Sequence, residues 1–185
     1  MKEQSRKIAL CGVLCGLAVV TLLLGGLLSV AVYCAPLLAM AVLLPVLLSQ
    51  VFLVTQATGN EMFPAIEDGD LLIGYRLIAR PVKNQVVLYR REGQLCAGRI
   101  LAVAGDVVTL DESGTPLVNG AACGGDILYP TYPGDALHYP YTVPEDCVFV
   151  LGDYRTQSRD SREVGGVPLS DVQARVITLL RRRSI

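Results

Sequence analysis

The first third of the chain is a long run of apolar positions. From Ile8 to Asn60 no residue carries a charge, and Ile8 to Gln50 is dominated by Leu, Val, Ala and Gly. A helix rises about 1.5 Å per residue, so this stretch would extend for roughly 65 Å, whereas one membrane crossing takes about 20 residues. The pattern therefore predicts a helical membrane anchor over residues 1–50.

This apolar run has one candidate break. Tyr33 suits a membrane interface, and Pro36 follows it closely; proline starts a helix better than it continues one. We therefore expect spans near residues 8–31 and 36–50. A cleavable signal peptide is the alternative reading, but its apolar core is usually about 7–15 residues long.

The charges at the N-terminus bear on topology. Lys2, Arg6 and Lys7 favour a cytoplasmic N-terminus. Two full crossings would then return the rest of the chain to the cytoplasm. Either the N-terminus lies outside, against a weak charge bias, or the second segment does not fully cross, and the sequence leaves both possibilities open.

From Val51 onward the pattern changes to short β-type runs separated by turn residues. The fold class that this predicts is mainly β, over residues 51–185. Glu112-Ser113-Gly114 is a hairpin signal, and the stretch 121–146, rich in Gly, Pro and Tyr, is expected to be a long ordered loop packed by its tyrosines. The predicted strands are 51–55, 71–75, 86–89, 99–104, 107–110, 116–120, 147–151 and 171–180.

Composition narrows the function classes. A hydrophobic content of 52% is too high for an ordinary soluble chain and fits a membrane anchor. The net charge of -1 gives no support for a nucleic-acid partner. No two of the six cysteines form a C-x-x-C pair, so we expect no metal or other cofactor. A disulfide among Cys96, Cys123 and Cys147 stays open, since exported proteins can form them.

Several short motifs lie in order along the β region. They are Thr58-Gly59-Asn60-Glu61-Met62-Phe63-Pro64, Asp68-Gly69-Asp70, Gly105-Asp106, Gly152-Asp153-Tyr154-Arg155 and Ser158-Arg159-Asp160-Ser161-Arg162. Together they resemble the bacterial type I signal peptidase family (S26-like), membrane-bound serine proteases that remove signal peptides with a Ser/Lys dyad. The resemblance covers about residues 51–180 and implies a signal-peptidase-like β-domain behind a transmembrane anchor.

The resemblance also shows what this chain lacks. The family motif reads S-G-x-S-M-x-P, so Glu61 stands in the place of the nucleophilic serine, and Gly98 stands in the place of the general-base lysine. Such a protease needs a hydroxyl to attack the carbonyl and a neutral amine to take its proton. Glu61 offers a carboxylate and Gly98 offers no side chain. We therefore expect no intact catalytic residue.

The remaining motif positions carry family roles. Thr58 matches the serine whose hydroxyl, with the backbone amide at position 61, forms the oxyanion hole. Ser158 matches the residue that orients the lysine, and Asp160 with Arg162 matches a structural ion pair. The positions expected to be structural are Gly59, Met62, Pro64, Gly152, Asp153, Arg155, Ser158, Asp160, Ser161 and Arg162.

Other residues offer little substitute chemistry. The β region contains one lysine, Lys83, and one histidine, His138. Neither aligns with the positions of the dyad. Without its lysine neighbour, Glu61 is expected to pair with an arginine, or to have its pKa raised by burial. The candidate arginines are Arg99, Arg159 and Arg162.

One branch of the family has the same two replacements. Signal-peptidase-like proteins of Gram-positive pilus gene clusters carry an acidic residue for the serine and glycine for the lysine, a pattern that Glu61 and Gly98 match. This implies a non-catalytic assembly factor in the cell membrane, with its β-domain outside. Its partners would be membrane lipid and an extended segment of an exported protein, namely pilin, alongside a sortase.

Two other hypotheses stay open. One is an active signal peptidase that uses an unrecognised nucleophile such as Ser158 or Ser161. The other is a purely structural membrane subunit whose groove is vestigial.

Overall fold

The computed structural model describes residues 2–78, 80–123, 127 and 129–181, with side chains from residue 16 onward except at residues 27 and 28. It divides the chain into two units, Met1–Leu48 and Ser49–Ile185.

The N-terminal region is a single helix, α1, over Lys2–Val51. Pro36 and Pro45 both lie inside it, so the interruption expected at Pro36 is not seen. Proline is tolerated within apolar helices of this kind when the backbone groups it frees are satisfied locally. The part from Gly16 to Val51 is long and apolar enough to cross a membrane by length and composition. The number of crossings, and the division into spans 8–31 and 36–50, stay predictions.

The rest of the described chain is mainly β, as expected. Within the described residues it forms a seven-stranded sheet in the order β1-β2-β11-β3-β4-β9-β10 and a four-stranded sheet in the order β7-β6-β5-β8. The elements are β1 (Phe52–Gln56), β2 (Leu71–Tyr75), β3 (Val86–Arg91), β4 (Gln94–Val103), β5 (Val107–Thr109), β6 (Leu117–Val118), β7 (Ala121–Ala122), β8 (Tyr141–Thr142), β9 (Cys147–Leu151), α2 (Ser161–Val164), β10 (Val167–Pro168), a 3-10 turn (Leu169–Asp171) and β11 (Val172–Leu180).

The large sheet has apolar side chains on both faces. Because side chains alternate along a strand, Leu88 of β3 packs on one face with Leu72 and Ala174, whereas Val87 packs on the other with Val150. The first of these faces is covered by the segment after β1, which contributes Met62 and Ile66 to the core. That segment carries the first sequence motif, so core packing fixes its position on the sheet.

Strands β3 and β4 are joined by a two-residue turn that the sequence analysis missed. Arg91 pairs with Gln94, and the turn residues Glu92 and Gly93 have positive φ angles of 52° and 82°, as a type I′ hairpin requires. The expected strands stopped at residue 89 and resumed at residue 99. The real hairpin extends both strands and carries Arg91 to the edge of the motif region.

Candidate functional site

The motif segment is a compact turn between β1 and β2. The amide of Ala57 donates to the carbonyl of Asp70 at 2.7 Å, and that of Gly69 donates to the carbonyl of Ala57 at 2.9 Å. Gly59 has φ of 81°, a conformation that favours glycine, and its amide donates to Oδ1 of Asp68 at 2.8 Å. These contacts hold Thr58, which is exposed, beside the next few motif residues.

A cleft, open to solvent, lies beside this turn. Its lining combines apolar side chains from the sheet and the turn with polar residues, which are Thr55, Gln56, Thr58 and Glu61. The apolar members are Ala57, Met62, Ile66, Leu72, Leu88, Leu95 and Ala97. The motif positions Thr58, Gly59, Glu61 and Met62 thus share one surface feature.

Glu61 is paired with Arg91. Nη2 of Arg91 lies 2.9 Å from Oε1 of Glu61, and the two side chains are 14% and 28% exposed. Arg91 also donates to the backbone carbonyl of Arg159. Burial alone would lower the pKa of Arg91, but the hydrogen bond and charge of Glu61 outweigh it and raise that pKa, so the guanidinium stays charged.

The three arginines that the sequence suggested as partners of Glu61 have other partners. Glu61 does pair with an arginine, but the choice of Arg99, Arg159 or Arg162 was wrong, because the unrecognised hairpin brings Arg91 to the carboxylate. The pairs found are Arg99 with Asp153 at 2.6 Å, Arg162 with Asp160 at 2.9 Å, and Arg159 with Glu92 at 2.9 Å.

The absence of a side chain at Gly98 does not leave an empty space. It lies in β4 opposite Val87, and a Cβ built on it would lie 2.4 Å from Cγ1 of Val150 and 3.1 Å from Cε1 of Tyr89. Such distances are shorter than van der Waals contact, so any side chain at residue 98 would require its neighbours to move. Tyr89 is itself buried, and burial raises the pKa of its phenol. Val150 and Tyr89 therefore fill the space into which a side chain at residue 98 would extend.

The last motif is organised around Asp160. Its carboxylate accepts hydrogen bonds from the amide of Gly152 at 3.1 Å and from Oγ of Ser158 at 2.8 Å, in addition to its ion pair with Arg162. Oγ of Ser161 accepts from the amide of Val150 at 2.9 Å. Asp160 and Arg162 therefore form the ion pair expected from the resemblance, and both serines are structural members of a buried network.

The preceding motif, residues 152–155, runs against the backbone of Glu61. A Cβ on Gly152 would lie 2.6 Å from the Glu61 carbonyl oxygen, and the amide of Tyr154 donates to that oxygen at 2.9 Å. Arg155 is buried and donates to the carbonyl of Gly152 at 2.7 Å and to Oγ1 of Thr131. Burial lowers the pKa of Arg155 to about 10.

Both serines of the last motif are buried and lack a lysine or histidine partner among the described residues. Ser158 is 8% exposed and Ser161 is fully buried, and among the described residues no lysine or histidine is recorded in contact with either hydroxyl. Lys83 is bound to Asp106 at 2.9 Å, and His138 is exposed on the loop before β8. Oγ of Ser158 does contact a carboxylate, that of Asp160, but Arg162 and the amide of Gly152 also bind that carboxylate.

The apolar residues that follow Glu61 in the first motif differ in burial. Met62 is 3% exposed and belongs to the core, so it packs inside rather than facing lipid. Phe63 is 37% exposed, and its ring centroid lies 6.0 Å from that of Tyr154. Pro64 contributes its carbonyl oxygen, which accepts a hydrogen bond from Arg181 at 3.3 Å.

The cysteines and acidic residues form no further centre in the described part of the chain. Cys96, Cys123 and Cys147 are free thiols. Over the same described residues, no group of His, Cys, Asp and Glu is arranged to hold a metal ion.

With this geometry described, comparison with known proteins gives the family. The model of the family described as "Signal peptidase, peptidase S26" matches residues 27–180. The chain belongs to the signal peptidase S26 family.

Curated relatives span bacteria and plant organelles. The chain is 31% identical to the probable thylakoidal processing peptidase 2, chloroplastic, of Arabidopsis thaliana over 131 residues, which is 64% of this chain and 35% of that protein. It therefore spans about a third of that relative's length. It is 28% identical to signal peptidase I of Bacillus caldolyticus over 134 residues, 64% of this chain and 73% of that protein.

Among solved structures, the chain is similar to a crystal structure of a signal peptidase I from Enterococcus faecalis V583. The sequence identity is 28%, the TM-score is 0.46, and the match covers 55% of this chain and 99% of that one.

Proposed function

We propose that this chain is a non-catalytic, membrane-anchored member of the signal peptidase family that binds an extended segment of an exported protein without cutting it. The observation that carries this proposal is the filled space at Gly98. Val150 and Tyr89 lie where a side chain at residue 98 would begin, so the protein has no room for the general base.

The residue at the nucleophile position, Glu61, supports the same conclusion. Glu61 places a carboxylate where an active enzyme would develop an oxyanion, and like charges there oppose catalysis. Its pairing with Arg91 uses Glu61 as a structural group. The alternative reading is an active peptidase that uses Ser158 or Ser161. Against it, both hydroxyls are buried and serve the network around Asp160 and Val150.

The cleft and the neighbouring strand β1 support the proposal that the protein binds an extended segment. β1 is the terminal strand of the large sheet in the described chain, so one of its edges offers unpaired backbone groups to which an extended segment can add as a further strand. The apolar walls of the cleft beside β1 suit small or aliphatic side chains of such a segment.

The partner and location follow from the resemblance. Glu61 and Gly98 match the branch found in pilus gene clusters, so a pilin is the first candidate for the bound protein, with a sortase in the same assembly. The apolar helix ending at Val51 would anchor the chain in the cell membrane, with the β-domain on the extracytoplasmic side where exported segments emerge.

Site-specific photocrosslinking tests this binding. A photoreactive residue is placed at Thr58, on the cleft, or at Glu112, an exposed residue outside the cleft residues, in the full-length protein in detergent. With a purified pilin precursor as the probe, we expect crosslinking from position 58 but not from position 112, and one mapped segment of the precursor. Equal crosslinking from both positions, or none from 58, would favour a vestigial groove.

A further inference from the structure

Glu61 brings a charge to a cleft whose other lining residues are uncharged. Among the described residues that line the cleft, it alone carries a charge. Its side chain is 28% exposed, whereas that of its partner Arg91 is 14% exposed, and Arg91 is not one of the lining residues. Glu61 therefore borders the cleft, and the arginine approaches it from outside the lining.

The two oxygens of this carboxylate differ in their contacts. Nη2 of Arg91 donates to Oε1 of Glu61 at 2.9 Å, whereas no donor from the described part of the chain reaches Oε2. An ionised carboxylate accepts hydrogen bonds through both of its oxygens. Oε2 of Glu61 can therefore accept a further donor, and a charged donor would bind it most strongly.

The segment around the cleft favours a positive group over a negative one. Residues 51–75 contain acidic residues but no basic one, and the acidic residues are Glu61, Glu67, Asp68 and Asp70. Asp68 accepts from the amide of Gly59, which is itself a lining residue, so a second carboxylate lies close to the rim of the cleft. The charge that this segment contributes attracts a cationic side chain and repels an acidic one.

The shape of the site selects lysine among the cations. Lysine joins a long aliphatic stem to a point charge at its end, and the cleft joins apolar walls such as Leu88 and Leu95 to one carboxylate. Arginine binds a carboxylate best through two parallel hydrogen bonds, which the contact of Arg91 with Oε1 obstructs. We propose that the cleft takes a lysine side chain of the extended segment, with its stem on the apolar walls and its ammonium donating to Oε2 of Glu61.

This inference rests on the proposed function and adds to it the kind of side chain that the cleft recognises. It also makes Arg91 a competitor, because the guanidinium and the lysine share one carboxylate. A purely structural Glu61–Arg91 pair predicts instead that loss of either partner weakens binding alike. The two roles therefore give opposite signs for substitution of Arg91.

Photolabelling with two synthetic peptides tests the inference on the full-length protein in detergent. The peptides are extended Thr/Val sequences that differ at one central position. That position holds either a lysine analogue with a diazirine in its stem or photo-methionine, which carries the same diazirine on an uncharged linear side chain. Mass spectrometry of the digested protein measures labelling of the cleft residues. The variants are Glu61→Gln, which keeps the shape without the charge, and Arg91→Gln. Glu112→Gln, at an exposed position outside the cleft, is the matched control.

We expect the lysine analogue to label the cleft severalfold more than photo-methionine does, in the unaltered chain and in Glu112→Gln. This preference should disappear in Glu61→Gln and increase in Arg91→Gln. It should also decrease at high salt in the unaltered chain, because salt screens a partly exposed charge pair. The salt dependence needs no substitution and decides the question even where a variant does not fold.

Equal labelling of the cleft by the two peptides in the unaltered chain would overturn the inference and leave the proposed binding function standing. A preference for the lysine analogue that survives in Glu61→Gln, or that high salt does not reduce, would overturn it as well. Absence of cleft labelling by either peptide would contradict the proposed function and the inference together.

Discussion

The guanidinium of Arg91 lies 2.9 Å from the carboxylate of Glu61, and both side chains are largely shielded from solvent. Glu61 lies in the motif turn, and Arg91 comes from the end of a hairpin strand thirty positions away in the sequence. The ion pair ties the motif turn to the β3–β4 hairpin. This contact gives Glu61 a structural role.

Removal of Arg91 is expected to destabilise the β-domain. The Arg91→Gln variant leaves Glu61 without its cation in a partly buried position, so the free energy of unfolding should fall by about 1–2 kcal/mol. Denaturant unfolding in detergent measures this. The control is Arg159→Gln, whose ion pairs are about half exposed and, because solvent screens them, should contribute less than the Glu61 pair. Equal losses in the two variants would show that the Glu61 pair has no special role.

Because Val150 fills the space at Gly98, the effects of substitutions at these two positions on the free energy of unfolding should not be additive. Gly98→Ala puts a methyl group against Val150 and Tyr89, and overpacking of this kind costs about 1–3 kcal/mol. In Gly98→Ala/Val150→Ala the clashing methyl groups of Val150 are absent. The double variant should therefore lose less stability than the sum of the two single variants, by at least about 0.5 kcal/mol. Simple additivity would mean that the site relaxes without strain.

The carboxylate of Asp106 is expected to contribute to the loss of folding stability at acidic pH. Burial alone would raise the pKa of Asp106, but hydrogen bonds from the Val103 amide, Lys83 and Asn119 outweigh it and hold the pKa below its usual range. Stability from this carboxylate is therefore fully present above its unfolded pKa of about 4 and is lost as the pH falls through the lower folded pKa. Unfolding free energy measured from pH 5 downward should fall more steeply for the unaltered chain than for Asp106→Asn. Asp135→Asn, at an exposed loop position, should leave the slope unchanged.

The domain thiols should all be reduced. Cys96, Cys123 and Cys147 are free, so alkylation of the unfolded protein without any reductant should label each of them, with intact mass as the readout. A mass that shows two of these three thiols protected until reductant is added would mean that a disulfide joins them.

Several strands and much of the site follow from local sequence. The runs at 71–75 and 147–151 match β2 and β9, because continuous or alternating apolar patterns specify buried strands. Asp160 and Arg162 lie close in sequence and are fixed by their own short helix, so their ion pair was predictable. Such features depend on few residues that are near one another in the chain.

The parts that were missed depend on contacts between distant segments. Glu92-Gly93 is a usable turn signal, and recognising it would have placed Arg91 at a strand end. Its approach to Glu61, however, depends on how the hairpin packs beside the motif turn. The filling of the Gly98 position by Val150 likewise depends on the register between β4 and β9. The continuity of α1 through Pro36 was missed because proline was treated as a break, although apolar helices tolerate it.

Cleavage of a signal-peptide-bearing preprotein in detergent tests the central claim most directly. The unaltered chain is compared with Glu61→Ser/Gly98→Lys, with Glu61→Ser/Gly98→Lys/Val150→Ala, and with signal peptidase I of Bacillus caldolyticus as the positive control. The account predicts no cleavage by the unaltered chain, and recovery only in the variant that also removes the Val150 methyl groups. Cleavage at the signal-peptide junction by the unaltered chain, abolished by Ser158→Ala or Ser161→Ala, would contradict it.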